Sequence, residues 1–561
     1  MTESFDEDNP SPILEESFHL VSKKNTVYKV KLSEKGLCLQ KRYNGITKTQ
    51  TVLLEDIIGC RCMRKGLYAQ KCKWRPRINK KPLNNPLQVE ENSSVLWDDS
   101  DISVWFHIYA YVMKKGKVFT QKKRERMVIT LRFQSYERYD ENLNKAQKWK
   151  VTLKYLMNSL HKGSIPACYF LSSDIKIGNK LLVILNPKSG IGKARDIFQS
   201  KVVPLLDEAE ISYHLHCTTH AHDAQSLVRK ENLWRYMRGI VVAGGDGILF
   251  EVINGIMERP DWSAICSQIK LGIIPCGSGN GLAKSIAHAN DEPYDKNPVL
   301  VSALNVAHGN STQLDLVRVE TKHQVLFSFL SIGWGLISDV DIESERLRGI
   351  GSQRFTIWSV AKLIGLRSYK GRISYLPVAA HQLIAQDDFD ARSVVSEDER
   401  RDSFYSVVSK KSTFLSVASS SYESLAEDAV KLYGPTSDLP PLSQSVPPSW
   451  TSIEGEFVLV HASYPTHLMT DCLFAPLAKL DDGCIWLCII RAGISRPHLM
   501  QFLVGLSNGS HVKVPEAEMI PVTALRIEPE SGQLTVDGEA INLGPLQAEI
   551  LPSAIKIFAR G

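Results

Sequence analysis

Short runs of alternating apolar and polar residues fill the first quarter of the chain and predict β-strands. The clearest runs lie at 27–32, 102–112 and 127–133. A helix is predicted after them, because four apolar residues recur at helical spacing, namely Trp149, Leu153, Leu156 and Leu160. We therefore expect an α+β module at 17–162, a small sheet closed by one helix, after a disordered tail at 1–16.

From residue 181 to about residue 316 the pattern becomes strand, turn and helix in repetition. Apolar runs at 181–185 and 211–217 each lead into a polar turn. Two further apolar runs end in glycine-rich turns, Gly-Gly-Asp-Gly at 244–247 and Gly-Ser-Gly-Asn at 277–280. This alternation predicts an α/β nucleotide-binding domain at 178–316, with a parallel sheet and ligand loops at its carboxyl edge.

Strand-like runs dominate again from residue 325 onward. They lie at 325–330, 457–460, 485–490 and 533–536. We expect a second catalytic domain that is β-rich and sandwich-like, built from 317–377 and 454–561. The stretch between them, 378–453, is rich in Ser, Asp, Glu and Pro, which is the composition of a disordered insertion.

Bulk composition narrows the class of protein. A chain of 561 residues with 43% hydrophobic content has material for two or three domains with cores of their own. The net charge of +6 is small for this length, so nothing requires a nucleic-acid partner. Basic residues nevertheless crowd the first quarter, a pattern that fits either an anionic membrane surface or a solvated loop. They are Lys71, Lys73, Arg75, Arg77, Lys80, Lys81, Lys114, Lys115, Lys117, Lys122, Lys123, Arg124 and Arg126.

Cysteine usage and the termini favour a cytoplasmic protein. The eleven cysteines are scattered and lack the paired spacing of a zinc site, so we expect reduced thiols. The acidic start of the chain lacks the pattern of a signal peptide, and no run reaches the ~20 apolar residues of a membrane span. Contact with a membrane is therefore expected to be peripheral and on the cytosolic side.

The two glycine turns carry the candidate chemistry. Glycines after a strand let backbone N–H groups approach phosphate oxygens, and the following helix adds the positive end of its dipole. Asp246 is unusual there, because a carboxylate repels phosphate unless it handles a proton or a metal ion during phosphoryl transfer. A pair of ordinary turns is the alternative. A P-loop is disfavoured because Ala194 follows Gly192 and Lys193, and protein-kinase signatures are absent.

Together the turns resemble those of the diacylglycerol-kinase-type catalytic superfamily, and within it the sphingosine kinase family. The stretches that carry the resemblance are 186–194, 251–262, 275–283 and 334–345. One departure is Gly244, which is often serine in the animal members. The resemblance covers 178–377 and resumes at 455–561, and it implies that the β-rich domain binds the lipid substrate. The extension and insertion resemble the longer animal form. The module at 17–162 resembles a pleckstrin-homology module by architecture alone.

An acidic run after residue 338 bears on the substrate. Asp339, Asp341, Glu343 and Glu345 alternate with other residues, so an extended segment would carry four carboxylates on one side. Such a cluster would select the cationic amine of sphingosine over the neutral amide of ceramide, and a solvated acidic face is the alternative. Ceramide kinases also carry Ser-Thr-Asp where this chain has Ser-Gly-Asn at 278–280.

The resemblance implies a role for each residue of the site. Asp246 would be the catalytic general base, and Asp341 would bind the amine and the secondary hydroxyl, with Asp339 and Glu345 as weaker members. Glu539 would approach Mg²⁺ and the nucleotide, and Arg348 and Arg354 would contact the phosphates. The remaining nucleotide residues would be Asn186, Ser189, Thr218, Gly244, Gly245, Gly247, Gly277, Ser278, Gly279, Asn280, Asp537 and Gly538.

The predicted activity is an ATP- and Mg²⁺-dependent kinase that phosphorylates the primary hydroxyl of sphingosine to give sphingosine 1-phosphate. A ceramide or diacylglycerol kinase, and a lipid-binding scaffold without activity, are the alternatives. The segment 355–372 is a basic amphipathic helix candidate, suited to a calmodulin-like partner or a membrane. A homodimer is left open.

Overall fold

The computed structural model describes residues 12–19, 27–43, 46–64, 101–114, 122–159, 180–344, 365–378 and 432–560. The strands in these ranges are β1 (Leu14–His19), β2 (Val27–Ser33), β3 (Gly36–Tyr43), β4 (Ile46–Leu53), β5 (Ile57–Met63), β6 (Val104–Lys114), β7 (Lys123–Phe133), β8 (Leu181–Leu185), β9 (Tyr213–Cys217), β10 (Gly239–Gly244), β11 (Lys270–Pro275), β12 (Ser311–Thr321), β13 (Val325–Ser328), β14 (Ser331–Gly335), β15 (Tyr369–Pro377), β16 (Thr451–Ser463), β17 (His467–Met469), β18 (Cys472–Leu473), β19 (Ile485–Arg491), β20 (Glu518–Pro529), β21 (Leu534–Val536), β22 (Glu539–Ile541) and β23 (Leu546–Phe558).

The helices of the described ranges follow the same order. They are α1 (Tyr139–Ser159), α2 (Ala194–Ile197), α3 (Val203–Glu208), α4 (Asp223–Lys230), α5 (Asp246–Met257), α6 (Trp262–Gln268), α7 (Gly281–Ala289), α8 (Pro298–His308), α9 (Leu336–Ser344) and α10 (Arg496–Gly505). A π-helical stretch, Phe198–Val202, joins α2 to α3.

The N-terminal module consists of two small antiparallel sheets and helix α1. Strands β1 to β4 form one sheet in chain order, and β5 to β7 form the other. Helix α1 buries Trp149, Leu153 and Leu156, the apolar stripe that the sequence predicts. The Trp149 ring meets the Phe18 ring edge to face with centroids 5.3 Å apart, which ties the helix to the first strand. The module therefore has an aromatic core of its own.

The catalytic half is built on a parallel sheet. Its strand order is β23, β11, β10, β8 and β9, and the pairs within it are parallel. Strands β8 and β10 are buried along their whole lengths, as expected for strands covered by helices on both faces. The predicted α/β domain is present, and the carboxyl ends of β8 to β11 lie at one edge.

The last strand of the chain joins this sheet to the β-rich lobe. The end of β23 pairs in parallel with β11, while its beginning pairs antiparallel with β20. Strand β12 pairs antiparallel with β23 from Ser311 opposite Phe558 to Thr321 opposite Leu546. The predicted domain boundary at 316/317 therefore falls inside one continuous strand.

The predicted disordered insertion is wrong at its C-terminal end. Residues 432–450 pack against the body of the protein, and β16 begins at Thr451. The Tyr433 N–H donates to the Met257 carbonyl at 3.0 Å, and the Arg526 guanidinium donates to the Pro440 carbonyl at 3.0 Å. Proline carbonyls remain free to accept because the residue lacks only the donor. Residues 379–431 lie outside the described ranges.

The predicted amphipathic helix at 355–372 is also wrong at its end. Residues from Tyr369 onward form β15, which pairs with β16 and β20. Tyr369 and Gly371 face inward while Lys370 and Arg372 face outward, so the period is that of a strand. Residues 355–364, which carry the remaining part of the predicted helix and of the predicted site for a calmodulin-like partner, lie outside the described ranges.

The N-terminal module packs directly on the catalytic half. Ile58, Tyr109 and Tyr111 share one apolar cluster with Phe198 and Leu205 of the catalytic half. The contact is close, since a Cβ on Gly59 would lie 2.2 Å from the Glu208 carbonyl oxygen. The side chains of this contact are buried, so the module is fixed against the catalytic half.

Four buried charges close the same interface. Arg124 donates to Asp56 at 2.6 Å and to Glu292 at 2.5 Å. Arg560, at the end of the described chain, donates to the same two carboxylates at 3.0 and 3.2 Å. The four side chains, the charge quartet, are only 4 to 9% exposed. Each charge meets two partners, which is the arrangement that compensates the desolvation of buried ions.

The basic residues of the module that the structure describes thus have an intramolecular explanation. Beyond Arg124, Lys122 pairs with Asp291, and Arg126 pairs with Glu208. All three residues pair with carboxylates of the catalytic half. Lys71 to Lys81, Lys115 and Lys117 lie outside the described ranges.

The described residues bear on the expected thiols and on membrane spans. The cysteines there are free thiols. Among the described helices, none has the length and apolar content to cross a bilayer.

Neutralising one member of the charge quartet tests its contribution. Glu292→Gln leaves two buried arginines with one carboxylate, so we expect a loss of about 3 kcal/mol or more in the free energy of unfolding. Chemical denaturation followed by tryptophan fluorescence measures it. Asp291→Asn is the matched control, because the Asp291 side chain is 84% exposed and a surface ion pair contributes about 1 kcal/mol or less. Equal effects of the two changes would contradict a buried network.

Candidate active site

The site forms where the parallel strands end. In the strand register Leu185 lies beside Ala243, and Gly244 lies beside Pro275. The Asn186 N–H donates to the Ala243 carbonyl at 3.1 Å, and the Thr218 N–H donates to the Leu185 carbonyl at 2.8 Å. The loops after β8, β9, β10 and β11 therefore converge at one edge, as the sequence predicts.

Two glycines allow these loops to touch. A Cβ on Gly277 would lie 2.5 Å from the Gly245 Cα, so only glycine permits this approach between the two turns. Gly190, with a φ of +59°, would place a Cβ 2.5 Å from the Cys276 carbonyl oxygen. Ser189 reaches the same place, because its Oγ lies 3.1 Å from the position of a Cβ on Gly244. The result is a backbone-lined floor made by three loops.

Asp246 is the first residue of α5 and its carboxylate faces the next turn. Its Oδ2 accepts a hydrogen bond from the Gly281 N–H at 2.9 Å, at the N-terminus of α7. Asn280 precedes that helix in the left-handed conformation, with φ of +56°. Asp246 Oδ1 is buried and has no hydrogen-bond partner in the described part of the chain. One oxygen thus anchors the side chain and the other is left to accept a proton.

Burial sets the proton affinity of this carboxyl. Desolvation by burial, with a smaller contribution from the Asp537 carboxylate, raises the pKa of Asp246 from 3.8 to about 6. The backbone N–H groups at the start of α7 oppose the shift by favouring the anion. A carboxylate with a pKa near neutrality is suited to general base chemistry.

Residues from the β-rich lobe cover the second glycine turn. The Thr470 N–H and Oγ donate to the Gly279 carbonyl at 3.1 and 2.9 Å. The His467 N–H donates to Ser285 Oγ, which in turn donates to the Gly281 carbonyl. Sequence reasoning missed Thr470, His467 and Ser285, because no local pattern links β17 to a turn about 190 residues earlier.

Asp537 has an architectural role that the prediction did not anticipate. Its Oδ1 accepts from the Ser328 hydroxyl at 2.5 Å and from the backbone N–H groups of Leu330 and Ser331 at 3.0 and 2.9 Å. Its Oδ2 accepts from the Phe329 N–H at 3.1 Å. Burial raises the pKa of Asp537 to about 6 even though these four bonds favour the anion. The predicted nucleotide contact is wrong for this side chain, which instead ties the β21–β22 turn to the start of β14.

The two residues after Asp537 do face the site. Glu539 Oε1 lies 3.2 Å from the position of a Cβ on Gly247, so this carboxylate stands beside the first turn of α5. Asp341 Oδ2 lies 3.1 Å from the position of a Cβ on Gly538. The hairpin between β21 and β22 thus brings Glu539 to the first glycine turn, and Gly538 of the same hairpin lies beside Asp341 of α9.

The acidic run is helical, not extended as predicted. Residues Leu336–Ser344 form α9, in which residues two apart point in different directions. Asp339 is buried and accepts a 2.6 Å hydrogen bond from the Tyr369 hydroxyl, while Asp341 lies near Gly538. Val340 packs in an apolar cluster between them. Asp339 and Asp341 therefore do not share one face, and Asp339 belongs to the interior.

Several predicted site residues are placed by the structure or fall outside it. Ser278 and Gly279 lie in the turn under Thr470, and Asn280 Nδ2 donates to the Gly277 carbonyl at 2.8 Å. Asn186 Oδ1 accepts from the Lys188 N–H at 2.9 Å, which shapes the loop after β8. Arg348, Arg354 and Glu345 lie outside the described residues.

The donor set fits a magnesium ion that is shared with a nucleotide. No group of three or more His, Cys, Asp or Glu side chains within the described ranges could hold a metal ion alone. Mg²⁺ commonly takes one or two carboxylates and completes its shell with phosphate oxygens and water. The Asp246 Oδ1 atom and the Glu539 carboxylate supply hard oxygen donors beside the phosphate-type turn.

Comparison with known proteins agrees with this arrangement. Residues 180–319 match the Diacylglycerol kinase catalytic domain family, and residues 453–559 match the YegS C-terminal NAD kinase beta sandwich-like domain family. These matches confirm the predicted pairing of an α/β catalytic domain with a β-sandwich-like domain.

Named relatives match over most of the chain. The sequence is 32% identical to Homo sapiens Sphingosine kinase 2 over 87% of this chain and 86% of that protein. It is 36% identical to Homo sapiens Sphingosine kinase 1 over 67% of this chain and 89% of that protein. It is 31% identical to Caenorhabditis elegans Sphingosine kinase 1 over 68% of this chain and 81% of that protein.

Removal of the Asp537 carboxylate tests its architectural role. Asp537→Ala leaves the Ser328 hydroxyl and three buried N–H groups without an acceptor, so we expect a loss of about 3 kcal/mol or more in the free energy of unfolding. Glu539→Ala, two residues away and exposed, is the control and should change it by about 1 kcal/mol or less. Differential scanning calorimetry compares the two. Unchanged stability of Asp537→Ala would contradict the architectural role and favour the predicted contact of Asp537 with the nucleotide.

Proposed function

This chain belongs to the sphingosine kinase family, and we propose that it transfers the γ-phosphoryl group of ATP to the primary hydroxyl of sphingosine or a related sphingoid base. The product is sphingosine 1-phosphate. One observation carries the chemical step, namely the buried and unpartnered Asp246 Oδ1 between two glycine turns. The relatives that match most of the chain, which carry the name Sphingosine kinase, support the substrate class.

Asp246 acts as the general base in this proposal. Its Oδ2 stays bound to the Gly281 N–H, so the side chain keeps its direction while Oδ1 accepts the proton of the lipid hydroxyl. Burial holds the pKa of Asp246 at about 6, high enough for a useful base yet low enough for the anion at neutral pH. The hydroxyl oxygen then attacks the terminal phosphorus in line with the leaving ADP.

The glycine turns bind the nucleotide phosphates. Gly245 and Gly279 place backbone N–H groups near the N-termini of α5 and α7, where both helix dipoles favour an anion. Gly247 keeps the space beside Glu539 open. Asn186, Ser189 and Thr218 border the same floor. By the family resemblance Arg348 and Arg354 complete the phosphate contacts.

Mg²⁺, when bound with ATP, neutralises charge on the transferred phosphoryl group and the leaving phosphate. Glu539 is the residue that we assign to hold it, which leaves Asp246 Oδ1 to the lipid hydroxyl. No side chain between these two carboxylates would crowd an ion, because Gly247 has none.

Asp341 recognises the head group of the lipid. Its carboxylate stands beside Gly538, on the lobe side of the site, and is suited to the cationic amine and the secondary hydroxyl of a sphingoid base. A ceramide amide or a diacylglycerol ester offers no cation there, which disfavours those two lipids as substrates. Asp339 is excluded from direct contact by its bond to Tyr369.

The hydrocarbon tail enters the apolar cluster under α10. This cluster contains Leu336 and Val340 of α9, the helix that also carries Asp341, and Phe474 and Phe502 on the opposite side. A lipid whose head group lies at Asp341 therefore has apolar side chains next to it. Aliphatic surface buried there contributes roughly 0.8 kcal/mol per methylene group.

The N-terminal module is proposed to be pleckstrin-homology-like. Its four-stranded and three-stranded sheets, closed by the C-terminal helix α1, support this proposal. The alignment with Homo sapiens Sphingosine kinase 2 reaches 87% of the chain and supports the likeness to a long form. Because sphingoid bases reside in membranes, we place the working enzyme peripherally on a membrane facing the cytoplasm.

A lipid-binding scaffold without activity is the second candidate. Retention of Asp246, Glu539 and both glycine turns in one compact arrangement disfavours it. A scaffold would have no need to keep a carboxylate buried with one oxygen unpartnered, since that costs stability.

Replacement of the base tests the chemical step. Asp246→Asn keeps an oxygen for the Gly281 N–H but cannot accept the proton, so we expect turnover to fall by ~10²-fold or more. Binding of ATP, followed by isothermal titration calorimetry, should remain close to that of the wild type. Normal turnover by this variant would contradict the assignment.

The pH profile tests the same residue without a substitution. Below pH 6 the Asp246 carboxyl is protonated, so kcat/KM should fall with an acid limb near pH 6. The sign for stability is opposite, because a raised pKa means that ionisation between pH 3.8 and about 6 opposes folding. Protonation of Asp246 therefore favours the folded state, so the acid loss of activity does not come from unfolding caused by this group. A kcat/KM that stays flat down to pH 5 would argue against it.

Neutralising Asp341 tests head-group recognition. Asp341→Asn removes the charge opposite the amine, so we expect KM for sphingosine to rise about tenfold to a hundredfold, with KM for ATP unchanged. Steady-state assays with each substrate varied in turn separate the two constants. An equal rise in both would point to a general loss of structure.

A further inference from the structure

An exposed aliphatic surface lies at the end of the β-rich lobe. Leu477, Met500, Val504 and Val512 are 74, 41, 65 and 40% exposed. We call these four side chains the aliphatic patch. Isolated apolar residues on a surface are ordinary, whereas a contiguous group of them marks an interaction site.

The patch is contiguous although it comes from three segments. Met500 and Val504 are four residues apart on α10 and share one face of the helix. The loop that carries Leu477 is tied to the end of this helix by the bond from the Leu473 N–H to the Leu506 carbonyl at 2.7 Å. A Cβ on Gly505 would lie 2.5 Å from the His511 backbone nitrogen, which places the Val512 turn directly beside the helix.

The same segments form the wall of the proposed tail site. Leu499 and Phe502 point from α10 into the apolar cluster, and Phe474 and Val514 reach it from the two flanking segments. Helix α10 is therefore apolar on both faces, one inside the lobe and one on its surface. A single helix separates the aliphatic patch from the cluster that would take the hydrocarbon tail.

Basic residues border the helix that carries half of the patch, and Glu516, just beyond them, is paired with His498 of α10. From Arg496 to Lys513 the chain contains no Asp or Glu, and these two cations stand at the ends of that stretch. Lys479 follows Leu477 on the neighbouring loop and is also exposed. Aliphatic side chains that insert between acyl chains, bordered by Lys and Arg at headgroup level, are the pattern of a surface that binds anionic lipid.

We propose that the aliphatic patch seats this protein on an anionic lipid bilayer. The advantage of a membrane contact at this surface rests on the proposed function. The lipid tail would pass from the membrane to an apolar cluster only one helix away. A second copy of the chain fits less well. A two-fold contact would bring Arg496 and Lys513 of one copy near the same residues of the other, while Glu516 is already paired with His498.

Vesicle flotation tests the proposal directly. The full chain is mixed with phosphatidylcholine vesicles that either contain or lack phosphatidylserine, and the bound fraction is measured. We expect the wild type to float with the anionic vesicles and Leu477→Glu/Val504→Glu to lose about tenfold or more in partitioning. Lys513→Gln should lose about fivefold on the anionic vesicles. Leu543→Glu, which alters an exposed leucine far along the chain, is the matched control and should float as the wild type does.

Three results would overturn the proposal. The wild type could fail to float, or the double variant could float as well as the wild type. The double variant could instead change only the molecular mass in analytical ultracentrifugation, which would identify a protein interface. Thermal unfolding of each variant establishes that the fold is kept, since exposed side chains are altered.

An activity assay separates this proposal from the proposed function. With sphingosine presented in detergent micelles, the double variant should keep the turnover of the wild type, and with sphingosine in vesicles it should lose activity in proportion to flotation. If the wild type phosphorylates sphingosine in neither format, the proposed function fails while the flotation result still decides the bilayer contact.

Discussion

The hydrogen bond from the Gly281 N–H to Asp246 Oδ2 is the interaction on which the site depends. It joins the helix that begins after one glycine turn to the helix that begins after the other. A carboxylate in this buried place is stabilised by the N-terminus of α7, and the same burial raises its pKa to about 6. The protein thus keeps an anion close to a phosphate-binding floor and retains one oxygen for chemistry.

The rest of the molecule holds that geometry from both sides. From the β-rich lobe, Thr470 and the Asp537 turn fix the second glycine turn and the hairpin with Glu539. Strand β23 makes the two halves one sheet, since it pairs with β11 and with β20. On the far side, α7 leads to Glu292, where the charge quartet fastens the N-terminal module. The module is therefore part of the same body as the site.

Local patterns in the sequence predict the elements, and long-range contacts decide the exceptions. Buried parallel strands and glycine turns are recognisable from adjacent residues. The sequence alone therefore predicts the edge of the sheet and the position of Asp246 at that edge. The alternation around Asp341 predicts a strand. Helix α9 forms instead, with Val340 packed inward and Asp339 accepting a hydrogen bond from the Tyr369 hydroxyl. The partners of Arg124 lie 68 and 168 residues away in the chain, so its role could not be read from charge alone. The role of Asp537 could not be predicted for the same reason, because the groups that donate hydrogen bonds to it lie more than 200 residues earlier in the chain.

The central claim is that Asp246 and Asp341 together select and activate a lipid that carries both a primary hydroxyl and a free amine. The most direct measurement gives the purified protein labelled ATP with sphingosine, ceramide and diacylglycerol side by side in the same micelles. The account predicts that label enters sphingosine, with kcat/KM higher by about tenfold or more than for either neutral lipid. Preferential labelling of ceramide or diacylglycerol would contradict it.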